Sequence, residues 1–261
     1  MNLKKLVVSA IAVGVVAMGV GAVPVLQLDI AGGTYNNTSE TIIAPENQDV
    51  ITLFALLQDK VETGNKIEDV LLDQSGPFTL IMSVTPSSDF PQTPDGYDLG
   101  SFTINGQTIA VTDDMTYGTP AGASGNGDFQ PHGVFPTYYS TMEFGFTPNN
   151  QINLYNSAEN SGAAFFNNGS VTSGLGMYYK EFTLDMSGLS DECTIHFDYF
   201  GNVVTQTTKN GEITGTSAKV KFAPFSKDAE ASGTNNVPEP TTLSLLGMAL
   251  LGAGFLRRKM K

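Results

Sequence analysis

The sequence has no tryptophan, a single cysteine (Cys193) and two histidines (His132 and His196) among its 261 residues. One cysteine cannot close an intramolecular disulfide, and it cannot build a thiolate zinc cage. Cys193 lies in Cys193-Thr194-Ile195-His196-Phe197-Asp198-Tyr199, where apolar and polar residues alternate. That period places Cys193 on a buried strand face as a core thiol rather than a nucleophile. Basic residues are also scarce, with 13 Lys plus Arg against 26 Asp plus Glu and a net charge of -13. Six of the thirteen (Lys4, Lys5, Arg257, Arg258, Lys259 and Lys261) stand at the two ends, which leaves seven lysines and no arginine between them. A body this acidic repels phosphate backbones and anionic lipids, so nucleic acid is not an expected partner.

Both ends carry long apolar runs. Met1-Asn2-Leu3-Lys4-Lys5 is a basic head, Leu6 to about Val20 is apolar, and Val20-Gly21-Ala22 is a small-residue exit. This is the layout of a cleavable secretion signal, expected over residues 1–22 with cleavage after Ala22, and it makes the translocon a partner. It fits an exported protein. The other end runs Val237-Pro238-Glu239-Pro240, then Thr241-Thr242, an apolar stretch from Leu243 to Leu256, and Arg257-Arg258-Lys259-Met260-Lys261. The apolar stretch is shorter than the roughly 20 residues of a comfortable span, so it predicts a short transmembrane helix with local bilayer thinning. The basic cluster stays on the cytoplasmic side, which puts the main domain outside the inner membrane.

The Pro238-Glu239-Pro240 triplet, the short apolar helix and the arginine-rich terminus together resemble the PEP-CTERM sorting signal over residues 237–261. The resemblance implies an exosortase-type enzyme as processing partner, with Val237, Pro238, Glu239, Pro240, Arg257 and Arg258 as sorting and processing residues. It also implies transient anchoring in the inner membrane. The ectodomain would then move to the cell surface, outer envelope or extracellular matrix, in cells that make exopolysaccharide.

Between the signals, short β-like runs rich in Thr, Tyr, Phe, Val and Ile are separated by turn residues. They fall at Val25 to Ile30, Glu40 to Ala44, Asp49 to Leu57, Phe78 to Thr85, Phe102 to Val111, Tyr138 to Phe146 and Gln151 to Tyr155. Further runs are Met177 to Met186, Cys193 to Phe200, Val203 to Lys209 and Ile213 to Phe222. Asn105-Gly106 divides the Phe102 to Val111 run as a two-residue hairpin, because both positions tolerate positive φ. The pattern predicts an all-β fold, an antiparallel β-sandwich of jelly-roll-like type over residues 23–225. One short helix is expected from Gly64 to Leu72, where Ile67, Val70 and Leu71 form an apolar stripe. Residues 226–236 are small and polar and read as a spacer ahead of the sorting segment. Pro131-His132-Gly133-Val134-Phe135-Pro136-Thr137-Tyr138-Tyr139, Leu184-Asp185-Met186-Ser187-Gly188-Leu189, His196-Phe197-Asp198 and Phe222-Ala223-Pro224-Phe225-Ser226-Lys227-Asp228-Ala229 resemble blocks of the choice-of-anchor N proteins. That resemblance implies an exported ectodomain and carries no assigned activity.

No catalytic set stands out. A nucleophile elbow and a His-Glu-x-x-His helix are both missing from the sequence, and the glycine-rich Gly118 to Gly127 stretch has no lysine for a phosphate. The expectation is a non-enzymatic protein without a catalytic cofactor. His196 and Asp198, two apart on one strand face, can share a hydrogen bond or a cation, but an exposed polar pair opposite the core is the favoured expectation. Calcium is the candidate structural ion, with Asp95, Asp98, Asp113, Asp114 and Asp128 as loop ligands. His132 is expected to brace a bent loop and is a candidate ligand-binding residue with Tyr138 and Tyr139. Of those two tyrosines, one should point inward and the other outward. The functional expectation is a structural or adhesive protein whose partners are exopolysaccharide or other matrix components. The alternative is a sandwich that binds or cleaves exopolysaccharide.

Overall fold

The computed structural model describes residues 23–63, 66–86, 99–120, 134–163, 176–190, 193–224 and 228–232. The expected leader (1–22) and sorting segment (237–261) lie outside the described residues, as do Asp95, Asp98, Asp128 and His132. In chain order the first strands are β1 (Leu26–Ile30), β2 (Thr34–Asn36), β3 (Thr41–Ile43), β4 (Val50–Gln58), β5 (Lys60–Thr63) and β6 (Lys66–Val70). Next come β7 (Phe78–Pro86), β8 (Ser101–Ile104), β9 (Gln107–Ala110), the single helical turn α1 (Val111–Asp114), β10 (Thr116–Gly118) and β11 (Thr137–Phe144). The last are β12 (Gln151–Asn153), β13 (Gly176–Asp185), β14 (Cys193–Lys209), β15 (Glu212–Phe222) and β16 (Asp228–Ser232).

These strands form two sheets. The first has the order β1-β4-β13-β8-β9, with β12 on β13. The second has the order β10-β11-β7-β14-β16-β3-β2, with β15 and the β5–β6 hairpin also joined to β14. Pairing is antiparallel throughout the described residues except between β16 and β3, which run parallel. The described residues are therefore nearly all β and antiparallel-rich, as expected.

One apolar core serves both sheets, and the two-residue period of the strands builds it. Leu26, Leu28 and Ile30 of β1, and Leu53, Ala55 and Leu57 of β4, come from the first sheet. Leu80, Met82 and Val84 of β7, with Cys193, Ile195, Phe197 and Tyr199 of β14, come from the second. Cys193 is a buried free thiol, as its alternating segment implied. Tyr199 ties the layers together: its hydroxyl donates to the Leu56 carbonyl of β4 and accepts from the Gln27 amide of β1 at 3.2 Å. Full burial raises the pKa of this phenol well above its ordinary value, so it stays a donor.

On the opposite face of the first sheet, Phe54, Leu56, Ile152, Tyr155, Ala163 and Met177 form a smaller cluster. The 155–163 segment is pinned there by two polar residues of β1. Asp29 accepts from the Tyr155 hydroxyl (2.7 Å) and from the amides of Gly162 (3.0 Å), Ala163 (2.8 Å) and Ile30 (2.8 Å). Gln27 donates to the Tyr155 carbonyl (3.0 Å) and accepts from the Ser157 amide (3.0 Å).

Two expectations are corrected. The helix from Gly64 to Leu72 is replaced by β6, paired with β5 and with β14 through Thr205↔Val70, Gln206↔Asp69 and Thr207↔Glu68. Sheet pairing splits the stripe, since Val70 is buried in the core while Ile67 is exposed, and Glu68 accepts from the hydroxyls of Thr205 (2.8 Å) and Thr207 (3.2 Å). The spacer expected at 226–236 contains β16, so the folded domain reaches at least Ser232. Ala229 and Ala231 of β16 are small enough to bury in the shared core between β14 and β3.

Candidate functional site

Strand β14 runs through the second sheet between β7 and β16. Its Ile195, Phe197 and Tyr199 face the shared core, so His196 and Asp198 face the other way. In β7, Ser83 stands opposite His196 and Ile81 opposite Asp198. In β16, Glu230 stands opposite His196 and Ala229 opposite Phe197. Asp228, the next residue along β16, therefore lies beside Asp198 on the face of His196.

Three ligating side chains converge at this crossing. His196 Nε2 lies 3.6 Å from Asp198 Oδ2 and 3.8 Å from Asp228 Oδ2. The ligand atoms of all three lie within 4.8 Å of one another, and this is the one such group found among the described residues. His196 is 4% exposed, Asp198 1% and Asp228 0%. The exposed pair expected at His196 and Asp198 is thus corrected. One reason is visible on the same face, where Ile81 packs with Phe135, Tyr139, Phe200 and Phe222, so this face is not left to water. Burial disfavours the imidazolium, but the Asp198 and Glu230 carboxylates outweigh it and raise the His196 pKa above its ordinary value. Chemically, the cluster can hold a proton on His196 or a cation shared by all three groups.

Other anticipated residues are placed elsewhere. Asp113 and Asp114 are exposed on α1, and Asp114 Oδ2 accepts from the Ala110 amide at 2.8 Å. Tyr138 is buried, edge-on to Tyr117 with ring centroids 5.3 Å apart. Tyr139 packs beside Ile81 on the opposite face, which is the inward and outward division expected of neighbours in a strand. Asp228 was missed by sequence reasoning because it fell inside the presumed spacer. Its signal was the alternation Asp228-Ala229-Glu230-Ala231-Ser232, which is that of a strand with a small buried face.

Compared with known protein families, residues 236–259 match the PEP-CTERM protein-sorting motif. No curated protein matches the chain. The motif implies processing by an exosortase, export, and membrane-associated sorting to the cell surface or extracellular space. Among the described residues no helix is long and apolar enough to cross a membrane.

Proposed function

We propose that the chain is a non-enzymatic structural or adhesive protein of the cell surface or extracellular matrix, delivered there by an exosortase. The observation that carries this reading is the sorting motif at 236–259. In this reading the two sheets pack face to face as a jelly-roll-like β-sandwich, and the loops provide the contact surface for exopolysaccharide or other matrix components. The acidic, arginine-free body suits a protein that must stay soluble outside the cell. The resemblance to choice-of-anchor N blocks points the same way. Tyr138 and Tyr139 lie on opposite strand faces with Tyr138 buried, which weighs against a shared sugar-stacking platform there. No catalytic cofactor enters this reading.

The test is a comparison of wild type with a Pro238→Ala/Glu239→Ala variant in the producing cell. The wild type should reach the surface or medium with its tail removed, and the variant should accumulate uncut in the inner membrane. Equal export and processing of the variant would overturn the exosortase route. Hydrolysis of purified exopolysaccharide by the exported protein would overturn the non-enzymatic part.

A further inference from the structure

Beside its sorting signal, the molecule carries a buried ligand set on rigid strands. We propose that His196, Asp198 and Asp228 bind one divalent first-row transition-metal ion, zinc being the best match, as a structural tie between β14 and β16. This is independent of the proposed surface role and goes beyond it.

The distances come first. Two ligands held about 2.0–2.1 Å from a tetrahedral zinc ion lie about 3.4 Å apart. The observed separations of 3.6 and 3.8 Å are near that value. Charge points the same way. Two carboxylates bring a charge of -2, which a divalent ion cancels, whereas a proton on His196 cancels half of it. Buried charges are held where they are paired, and a divalent ion matches the two carboxylates charge for charge in a site that is 4% exposed at most. The donor set separates the candidate ions. Calcium takes about six to eight oxygens, while one imidazole with two carboxylates suits zinc and its neighbours.

Ser83 supplies a separate observation. It is fully buried, and its hydroxyl makes no hydrogen bond among the described residues. It stands directly opposite His196 in the β7–β14 register, so both side chains project from the same face at neighbouring positions. A metal-bound water gives that hydroxyl its partner, with the water in the fourth position of the ion. The strands around it fix the geometry in advance: His196 and Asp198 are two apart on one strand, and Asp228 is on the next. A metal tie also has a purpose here. β16 is the last strand described before the sorting motif, and a chain with one cysteine cannot hold it by a disulfide.

The experiment uses the protein as isolated from the producing cell, stripped with a chelator and transferred to metal-free buffer. Calorimetric titration with zinc chloride, elemental analysis and thermal unfolding are then run in parallel. One zinc per chain is expected, with Tm lowered by stripping and restored by zinc. Asp228→Asn and His196→Gln should abolish stoichiometric binding and the zinc-dependent Tm shift. Ser83→Ala should weaken binding about 10- to 100-fold, as loss of an outer-shell partner does. Asp113→Asn/Asp114→Asn should bind as wild type does. The proposal is overturned if stripped wild type takes up no stoichiometric zinc or shows the same Tm with and without it. It is also overturned if calcium binds in place of zinc, or if the Asp228 and His196 variants keep full affinity. The wild-type arm decides the matter even where a variant fails to fold.

Discussion

Two buried polar residues set the clearest expectations at the residue scale. Asp29 satisfies four donors from the 155–163 segment and β1. Asp29→Ala leaves those donors buried, and at about 1–3 kcal/mol for each unsatisfied group the urea midpoint should fall sharply. Burial raises the Asp29 pKa above 3.8, and the four hydrogen bonds only partly offset it. A carboxyl whose folded pKa lies above its unfolded one contributes stability that is fully present below 3.8 and lost as pH rises through the folded value. Wild type should therefore lose stability relative to Asp29→Asn as pH is raised from below 3.8. Urea titrations of both proteins across that range measure the slope, and a flat difference would contradict the assignment. Tyr199→Phe strips the hydroxyl that bridges the sheets and should cost about 1–3 kcal/mol in the same assay.

At the scale of elements, Gly201 shows how one position admits a strand pair. It stands opposite Phe78, and a Cβ there would sit 2.3 Å from the Phe78 ring. That ring packs against Phe144 and Phe146 with centroids 5.8 and 4.9 Å away, so it has little room to retreat. Gly201→Ala should destabilise by about 1–3 kcal/mol through overpacking. Adding Phe78→Leu should recover part of that loss in a double-mutant cycle read by thermal unfolding, and strict additivity would contradict the clash. Which elements were legible follows from the same physics. The Asn105-Gly106 turn was, because both residues take positive φ (50° and 82°) in the β8–β9 hairpin. The runs that became β7, β13 and β14 were legible through their alternation. β6 was not, since a weak apolar stripe fits helix and strand alike until β14 supplies backbone partners. β16 was hidden by its alanines, which have poor strand propensity and are placed by the core around them. The site was half legible: the period put His196 and Asp198 on one face, but only the sheet order brings in Asp228 and Ser83. Their burial is a property of the whole fold, so no local pattern could give it.

The whole molecule joins two kinds of information. The body specifies a shared core and a buried ligand set through strand alternation and register. The address is written in a short linear motif at 236–259. The two can therefore be separated by experiment: destabilising the body through Gly201 should leave tail processing intact, while changing Pro238 and Glu239 should leave stability intact. The central claim concerns the address. Its most direct test is the intact mass of the mature protein recovered from the surface and medium of the producing cell. The account predicts a species beginning after Ala22 and lacking the Leu243 to Leu256 stretch and the basic terminus. A chain recovered from the cytosol with Met1 and Lys261 both in place would contradict it.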